Sequence, residues 1–290
     1  MPEAQVGIIG GSGLYDIEGL SDIETYRPNT PFGEPSDEIT LGTLSEVRVA
    51  FLPRHGKGHA ISPSELPARA NIWALKMLGV THIVSVSAVG SLREHLAPRH
   101  IVVPDQLFDR TKGVRPATFF GEGIVAHIAF AEPYCPRLRQ IVLAAARDVV
   151  GATVHDRGTM VVMEGPQFST KAESFFYRQI GADLIGMTAL PEAKLAREAE
   201  ICYSTLAMVT DYDCWYEAEE SVTVEMVVGN LLANVDHAKA IVAGMLPHIV
   251  ASERTCACGH ALQDAIMTHR DATPPKRLKE LQLLIGKYLS

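Results

Sequence analysis

Two carboxylates stand two residues apart at the end of an apolar run, in the segment Val209–Trp215. If that segment is extended, the side chains of Asp211 and Asp213 point the same way and face one ligand. Two like charges held close together raise one of the two pKa values, so one carboxyl can donate a proton while its neighbour only accepts. Such a pair suits the edge of adenine, where N6 is a hydrogen-bond donor and N7 an acceptor. The alternative interpretation is a solvated acidic turn.

A glycine-rich turn follows the first apolar run of the chain. In Gly10–Gly13 the backbone can approach an anion closely, and Ser12 adds a hydroxyl donor. A dinucleotide-binding loop is the competing interpretation. Such a loop leads directly into a helix, however, and no helical pattern follows here before Pro28. The turn therefore favours an anion site.

Two further turns follow apolar runs and carry groups that bind phosphate. Arg54 supplies a fixed cation whose fork can hold two phosphate oxygens, and His55 adds a ring donor. The turn that begins at Ser87 offers a hydroxyl and backbone N–H groups. Ligands gather at the carboxyl ends of strands in open α/β sheets, so these turns predict one ligand site. A solvated basic loop and an ordinary strand end are the alternatives.

Short apolar runs of β type alternate with stretches of helical spacing along the chain. The pattern predicts an α/β fold: a single domain over residues 1–290 with a central mixed β-sheet flanked by helices, and a C-terminal helical extension from about 270–290. We expect strands over 6–9, 47–52, 82–87, 100–103 and 203–209, and helices over 66–78, 136–150, 170–180, 191–200, 222–246 and 276–288.

The composition is ordinary for a globular enzyme, with 47% hydrophobic residues and a formal net charge of −8 over 290 residues. A negative net charge argues against a nucleic-acid backbone or an anionic membrane as the main partner. No run approaches the roughly twenty apolar residues that span a bilayer. The amino terminus lacks the basic region of a signal peptide, so we expect a cytoplasmic protein.

The cysteines leave three interpretations open. The pair in Cys256–Cys258 could be two ordinary thiols, a redox-sensitive disulfide, or part of a metal site with His260. It lacks the second pair that makes a zinc signature convincing, so we expect no metal site. The other three cysteines lie scattered where a buried thiol is the default: Cys135, Cys202 and Cys214.

Several motifs, in order, resemble the trimeric purine nucleoside phosphorylases. The segment Thr210–Trp215 is similar to the branch of that family that acts on S-methyl-5′-thioadenosine. The resemblance runs from about Val6 to Leu246 and implies a purine nucleoside phosphorylase-like fold. The other motifs that carry it are Gly7–Leu14, Arg54–Gly56, Asn71–Lys76, Glu164–Ser169, Met187–Thr188 and Pro191–Glu192.

The resemblance implies a phosphorolysis in which phosphate attacks the anomeric carbon of methylthioadenosine and adenine leaves, with 5-methylthioribose 1-phosphate as the second product. Negative charge builds up on the departing purine, which the protein must neutralise. Inorganic phosphate is then a co-substrate, and neither a metal nor another cofactor is implied. The family pattern assigns phosphate binding to Ser12, Arg54, His55, Ser87, Ala88 and Thr188.

The resemblance also implies how the nucleoside is held. Asp211 protonates N7 and Asp213 supports it or accepts from N6, although the order within the pair stays open because coupled carboxylates share their titration. Aspartate rather than asparagine at this place favours 6-aminopurines. The remaining substrate contacts fall on Phe168 at the purine face, Met187 under the ribose, Ser169 and Val224 as specificity positions, Val227 beside the 5′ group, and His127 from a neighbouring subunit.

The family pattern implies a homo-oligomer, a trimer or a hexamer, with sites near subunit boundaries. Two other functions compete with the main interpretation. One is a phosphorylase for 6-oxopurine nucleosides such as inosine or methylthioinosine. The other is a nucleoside-binding module without catalytic activity, which would bind ligand without phosphate-dependent turnover.

Overall fold

The computed structural model describes residues 3–11, 14, 17–216 and 223–288. Within these ranges the chain forms one extensive mixed sheet with helices packed on both of its faces, so the predicted fold class is confirmed. None of the described helices combines the length and the apolarity that crossing a membrane would require.

Eleven strands lie in the described part of the chain, and the bounds of the longer ones agree with the apolar runs. The strands are β1 (Val6–Gly10), β2 (Ser21–Tyr26), β3 (Ile39–Leu44), β4 (Val47–Pro53), β5 (His82–Ser91), β6 (Ile101–Val103), β7 (Gln106–Arg110), β8 (Val154–Asp156), β9 (Thr159–Met163), β10 (Leu184–Gly186) and β11 (Cys202–Asp211). The longer helices are α1 (Ala68–Met77), α2 (Pro136–Arg147), α3 (Lys171–Gln179), α4 (Ala189–Glu198), α5 (Val224–Ala233) and α6 (Val235–Ala251), and two short ones follow, α7 (Pro275–Glu280) and α8 (Gln282–Ile285).

Four parallel strands, in the order β4, β1, β5 and β11, form the centre of the sheet. Strand β5 pairs with β1 along its first part, with β11 along almost its whole length, and with antiparallel β10 at Gly90 and Ser91. Because parallel strands end at the same edge, the segments that follow β1, β4, β5 and β11 come together there. This edge is where β1 and β4 lead into the turns that were predicted to bind an anion.

The two faces of the sheet are covered by different helices. On one face α1 and α4 bury Trp73 and Leu195, and on the other α2 and α6 bury Val142 and Ile241. Strands buried on both faces read as continuous apolar runs, which is why β1, β4, β5 and β11 were predictable. The shorter or more exposed strands, such as β2 and β7, carry no such run.

Two predicted helices are wrong in extent. The helix expected over 222–246 is two helices, because Asn234 separates α5 from α6. The helix expected over 276–288 is broken into α7, α8 and a final 3-10 turn. The segment that carries them packs on the main core, where Leu262, Leu281 and Ile285 are buried.

The view that the cysteines are scattered is also wrong. The side chains of Cys135 and Cys202 meet those of Cys256 and Cys258, so the second pair that the sequence lacked is supplied by the fold. Cys214 lies elsewhere, and its thiol donates to the carbonyl oxygen of Ser169 over 3.3 Å.

Candidate active site

The carboxyl ends of the central strands gather most of the predicted phosphate ligands at one edge of the sheet. Gly10, the last residue of β1, pairs with Pro53, and the backbone N–H of Arg54 donates to the Gly10 carbonyl over 2.9 Å. Ser87 lies inside β5, directly opposite Ala207 of β11. The turn expected to begin at Ser87 is therefore wrong, because β5 continues to Ser91 and places Ser87 and Ala88 within the strand. Ser12, the hydroxyl-bearing residue of the glycine turn, lies outside the described residues.

Arg54 is buried and held by an acidic partner. Its Nε donates to Glu192 Oε1 over 2.5 Å, and both side chains are only 3% exposed. A terminal nitrogen donates to Ser85 Oγ over 2.6 Å, and this hydroxyl lies 3.4 Å from Ser87 Oγ. The carboxylate of Glu192 therefore balances the guanidinium charge, which a sequence reading of Arg54 as a full local cation did not anticipate. A chain of hydroxyls links the ion pair to Ser87.

The His55 ring is oriented by the backbone. Its Nδ1 lies 2.8 Å from the Ile61 carbonyl oxygen, and because a carbonyl only accepts, Nδ1 carries a hydrogen. Burial lowers the pKa of His55 to about 4, against the opposing effect of this hydrogen bond. The ring is thus neutral near pH 7, and its Nε2 is an acceptor. The expected ring donor is therefore available at Nε2 only when His55 is protonated.

Asp211 ends β11 and is 5% exposed. Its Oδ2 accepts from the Thr210 hydroxyl over 2.7 Å, and its Oδ1 accepts from the backbone N–H of Asp213 over 2.8 Å. Burial raises the pKa of Asp211, while these two hydrogen bonds act in the opposite direction. A carboxyl with a raised pKa holds a proton more readily than an exposed aspartate, as a general acid requires.

Asp213 does not continue the strand. Its φ of +52° lies in the left-handed region, so the extended geometry predicted for the pair ends at Asp211. Burial is the main cause that raises the pKa of Asp213, and the charge of Asp211 contributes less. Repulsion between the two carboxylates is therefore the smaller effect. The hydroxyls of Ser169 and Ser174 lie near this carboxyl group and lower its pKa against the effect of burial. No described group makes a well-formed hydrogen bond to the buried Oδ2 of Asp213, so this oxygen can still accept from a ligand.

A glycine of β5 allows the close approach of the carboxyl pair. A Cβ at Gly90 would lie 2.9 Å from Asp211 Oδ1, 3.0 Å from Ile185 Cγ2 and 3.6 Å from Asp213 Cβ. The absence of a side chain at Gly90 thus lets β5, β10 and the acidic turn meet. The sequence shows this glycine but not its neighbours.

The segment after β10 carries Met187 and Thr188 to the same edge. Met187 packs closely on Gly165, where a Cβ would lie 2.6 Å from the Met187 sulfur. A buried ion pair stabilises the loops on either side: Arg115 Nε donates to Glu164 Oε1 over 2.7 Å, and an Arg115 terminal nitrogen donates to the Met187 carbonyl. This positioning pair was missed, because Arg115 and Glu164 lie 49 residues apart.

The loop after β9 places Phe168 and Ser169 beside the acidic turn. The Ser169 hydroxyl is among the groups that lower the pKa of Asp213 against the effect of burial. Phe168 is 45% exposed, so its ring can still cover the face of a ligand. Ser169 and Phe168 therefore lie where the base was expected.

Helix α5 lies against the end of β11, because Asn230 Nδ2 donates to the Thr210 carbonyl over 2.7 Å. Val224 in its first turn is 65% exposed, and Val227 is half-buried. His127 has other neighbours within the chain: its backbone N–H donates to Ala265 over 2.8 Å. A contribution of His127 to this edge would have to come from another subunit, as the resemblance implied.

The fold and the site define the class of protein. Residues 5–247 match the family model described as the phosphorylase superfamily. A methylthioadenosine phosphorylase from an Antarctic soil metagenomic library has a similar structure, with a TM-score of 0.93 and 48% identity over 98% of this chain and 99% of that one. A variant of the adenosine/methylthioadenosine phosphorylase of Schistosoma mansoni, in complex with methylthioadenosine, has a TM-score of 0.81 and 41% identity over 87% and 94% of the two chains.

Curated relatives narrow the class further. The S-methyl-5′-thioadenosine phosphorylase of Chloroflexus aurantiacus is 57% identical over the whole of both chains, and that of Geobacter sulfurreducens is 53% identical over 99% of this chain and 100% of its own. The chain belongs to the S-methyl-5′-thioadenosine phosphorylase family of the phosphorylase superfamily.

Proposed function

We propose that this protein catalyses the phosphorolysis of S-methyl-5′-thioadenosine to adenine and 5-methylthioribose 1-phosphate. One observation carries the proposal: two buried carboxyl groups with raised pKa values lie at the strand edge that also gathers Arg54, His55 and Ser87. A proton donor for a purine and a set of phosphate ligands are thus available on one surface. The family of the chain supports the same reaction.

At the base end, Asp211 donates a proton to N7 as the bond between the anomeric carbon and N9 breaks. The raised pKa of Asp211 favours the protonated form, and the Thr210 hydroxyl and the Asp213 N–H keep the carboxyl in place. The electrons of the broken bond are then stabilised on a neutral purine rather than on an anion. Asp213 Oδ2, which no described group satisfies, accepts a hydrogen from N6.

At the phosphate end, hydrogenphosphate is oriented before it attacks. Ser87, Ala88 and Thr188 supply hydroxyl and backbone groups, with Ser12 as a further proposed ligand. The neutral His55 ring accepts the phosphate O–H at Nε2, so that an unprotonated phosphate oxygen faces the anomeric carbon. A bond from this oxygen to carbon forms while the bond to N9 breaks. Phosphate is a co-substrate in this scheme, and no metal or organic cofactor takes part.

Specificity has two parts in this proposal. Oδ2 of Asp213 accepts from an amino group, whereas the O6 of a 6-oxopurine offers a second acceptor and is repelled. Val224 and Val227 on α5 form an apolar wall for the methylthio group, and a 5′-hydroxyl would lose its hydrogen-bond partners there. Met187 covers the ribose, Phe168 covers the purine face, and Ser169 helps to set the choice of base.

A homo-oligomer, with a trimer preferred over a hexamer, completes the proposal. Exposed apolar side chains lie on both helices that flank the site, and a subunit contact would remove them from water. Val224 would then be covered, and His127 of a neighbouring subunit would close the 5′ end. The exposed residues are Phe175 and Phe176 on α3, Ile180 just after it, and Val224, Val228 and Leu232 on α5.

Product identification tests the reaction itself. The full-length protein is incubated with methylthioadenosine and inorganic phosphate, and the products are followed by liquid chromatography and phosphorus NMR. We expect equal amounts of adenine and a sugar phosphate ester at C1. Adenine with free 5-methylthioribose, at a rate independent of phosphate, would mean hydrolysis and would refute the proposal.

A further inference from the structure

Four of the five cysteines form a cluster far from the candidate active site. Their Sγ atoms all lie within 4.8 Å of one another, and those of Cys202 and Cys256 are 3.3 Å apart. Cys135 immediately precedes α2, and Cys202 begins β11. Cys258 lies in the short 3-10 turn that follows Cys256. Three separate parts of the chain therefore converge on one point.

The spacing suits a shared cation. Four thiolates arranged tetrahedrally at about 2.3 Å from a zinc ion have sulfur atoms about 3.8 Å apart. The Sγ atoms of the cluster lie within 4.8 Å of one another, so their separations exceed that value by at most about 1 Å. A disulfide joins two sulfurs at about 2.05 Å, and all five cysteines are unbonded in this structure. A tetrahedral site needs small side-chain rotations only.

The surroundings favour negative charge on the sulfurs. Arg254 Nε donates to Cys202 Sγ over 3.4 Å, and Cys135 is the N-cap residue of α2, next to the positive end of that helix. A tetrathiolate complex of a divalent cation has a net charge of −2, which the guanidinium and the helix amides partly balance. Cys135, Cys202 and Cys258 are buried, while Cys256 is half-buried and leaves a path of entry.

We propose that Cys135, Cys202, Cys256 and Cys258 bind a zinc ion in a closed, structural tetrathiolate site. Up to four thiol protons are released on binding, and no sulfur is oxidised or reduced. All four positions of the metal are filled by protein, so it has no open position for substrate. Cys202 and Asp211 begin and end one ten-residue strand, about 30 Å apart at the rise of a strand. The metal thus acts on the fold and not on the phosphorolysis.

The proposed zinc ion would anchor the C-terminal segment, residues 252–288, to the rest of the fold. Cys256 and Cys258 follow α6, and the metal would join them to the start of β11 and to α2 in the middle of the chain. Apart from the metal, the segment is tied to the rest of the chain by an ion pair between Lys287 Nζ and Glu200 Oε2 over 2.5 Å and by burial of Leu262 and Leu281 in the core. Loss of the metal should therefore loosen residues 252–288 before it unfolds the sheet.

Metal content under reducing conditions is the first test. The full chain, purified with a thiol reductant and supplied with zinc, is analysed by elemental mass spectrometry after dialysis. We expect about one zinc ion per chain. Cys258→Ser should lose most of it, whereas Cys214→Ser, which alters the one cysteine outside the cluster, should retain it. Cys258→Ser should also show faster proteolysis within residues 252–288 than the Cys214→Ser control.

Cobalt binding keeps the test decisive if Cys258→Ser fails to fold. The wild-type chain is stripped with a chelator, reduced, and titrated with Co²⁺ without oxygen. We expect saturation at one equivalent, with the sulfur-to-cobalt charge-transfer and strong ligand-field bands of a tetrahedral tetrathiolate. A reduced wild-type chain that takes up neither zinc nor cobalt would overturn the proposal. A second result would also overturn it. In that case the mass of the native chain would be lower by four hydrogens, which indicates two disulfides, and the chain would bind no metal after reduction.

Discussion

Replacing Asp211 by asparagine removes the proposed proton donor with little disturbance of the fold. The asparagine Oδ1 can still accept from the Asp213 N–H, now 2.8 Å from Asp211 Oδ1. Its Nδ2 can donate to the Thr210 hydroxyl, which rotates to accept across the present 2.7 Å contact. Both hydrogen bonds persist, so we expect Asp211→Asn to unfold at the same denaturant concentration as the wild type.

The loss of activity follows from the role of the proton. A positioned general acid contributes about 10²- to 10⁴-fold to a rate, which corresponds to about 3–5 kcal/mol of transition-state stabilisation. We expect kcat for methylthioadenosine to fall by that factor. The KM for phosphate should change little, because Asp211 lies at the base end of the site.

The pH profile makes the assignment specific. Burial raises the pKa of Asp211, so the acid form persists to higher pH than in an exposed aspartate. The wild-type rate should fall as pH rises through this pKa, and Asp211→Asn should lack that limb. Adenine formation is measured in single turnovers across the pH range, with the exposed Asp236→Asn as a matched control. A kcat for Asp211→Asn within about twofold of wild type, with an unchanged pH profile, would refute the role.

Two further predictions concern groups around the site, and a third concerns a buried carboxyl group at the end of α4. Gly90→Ala should lower kcat by about 10- to 100-fold, because the new Cβ would lie 2.9 Å from Asp211 Oδ1 and displace that oxygen. Steady-state kinetics measure kcat, and circular dichroism checks that the variant is folded. Arg54→Met leaves the Glu192 carboxylate buried without its ion-pair partner, which should lower the free energy of unfolding in urea by about 3–5 kcal/mol. Adding Glu192→Gln should restore most of this stability but not phosphate binding. A double variant that is no more stable than Arg54→Met would contradict the pairing. Glu198 on α4 accepts from the Thr118 hydroxyl and the Phe119 backbone N–H, and burial raises its pKa to about 7. Glu198 should therefore contribute a fall of about 3 kcal/mol in the unfolding free energy as pH rises from 4.5 through 7, and urea unfolding across this range should show a fall smaller by that amount in Glu198→Gln than in the wild type.

The strand edge was predictable because its residues are local in sequence. An apolar run followed by a glycine or a charged group marks both the strand and the turn, as at Gly10 and Arg54. At Ser87 the strand was predicted but its end was not, because β5 continues to Ser91. Since parallel strands end at one edge, the convergence of these turns followed from the fold class. The final helix was not predictable from its apolar spacing, because packing on the core broke it into short turns.

The ion pairing, the causes of the pKa shifts and the cysteine cluster could not be predicted from the sequence, because they depend on residues far apart in the chain. Arg54 and Glu192 are separated by 138 positions, and only the fold reveals that one neutralises the other. The positive φ of Asp213 made the expected extended pair wrong. Burial, not mutual repulsion, is the main cause of the raised pKa of Asp213, and burial depends on the packing of distant segments. Cys202 and Cys256 are 54 positions apart, so their meeting carried no local signal.

Adenine release from methylthioadenosine, with and without inorganic phosphate and beside inosine and adenosine, tests the central claim most directly. Rapid release from methylthioadenosine that requires phosphate, with little turnover of inosine, is the predicted result. A preference for inosine would contradict the role of Asp211 and Asp213 as a site for 6-aminopurines, and binding without any turnover would contradict catalysis itself.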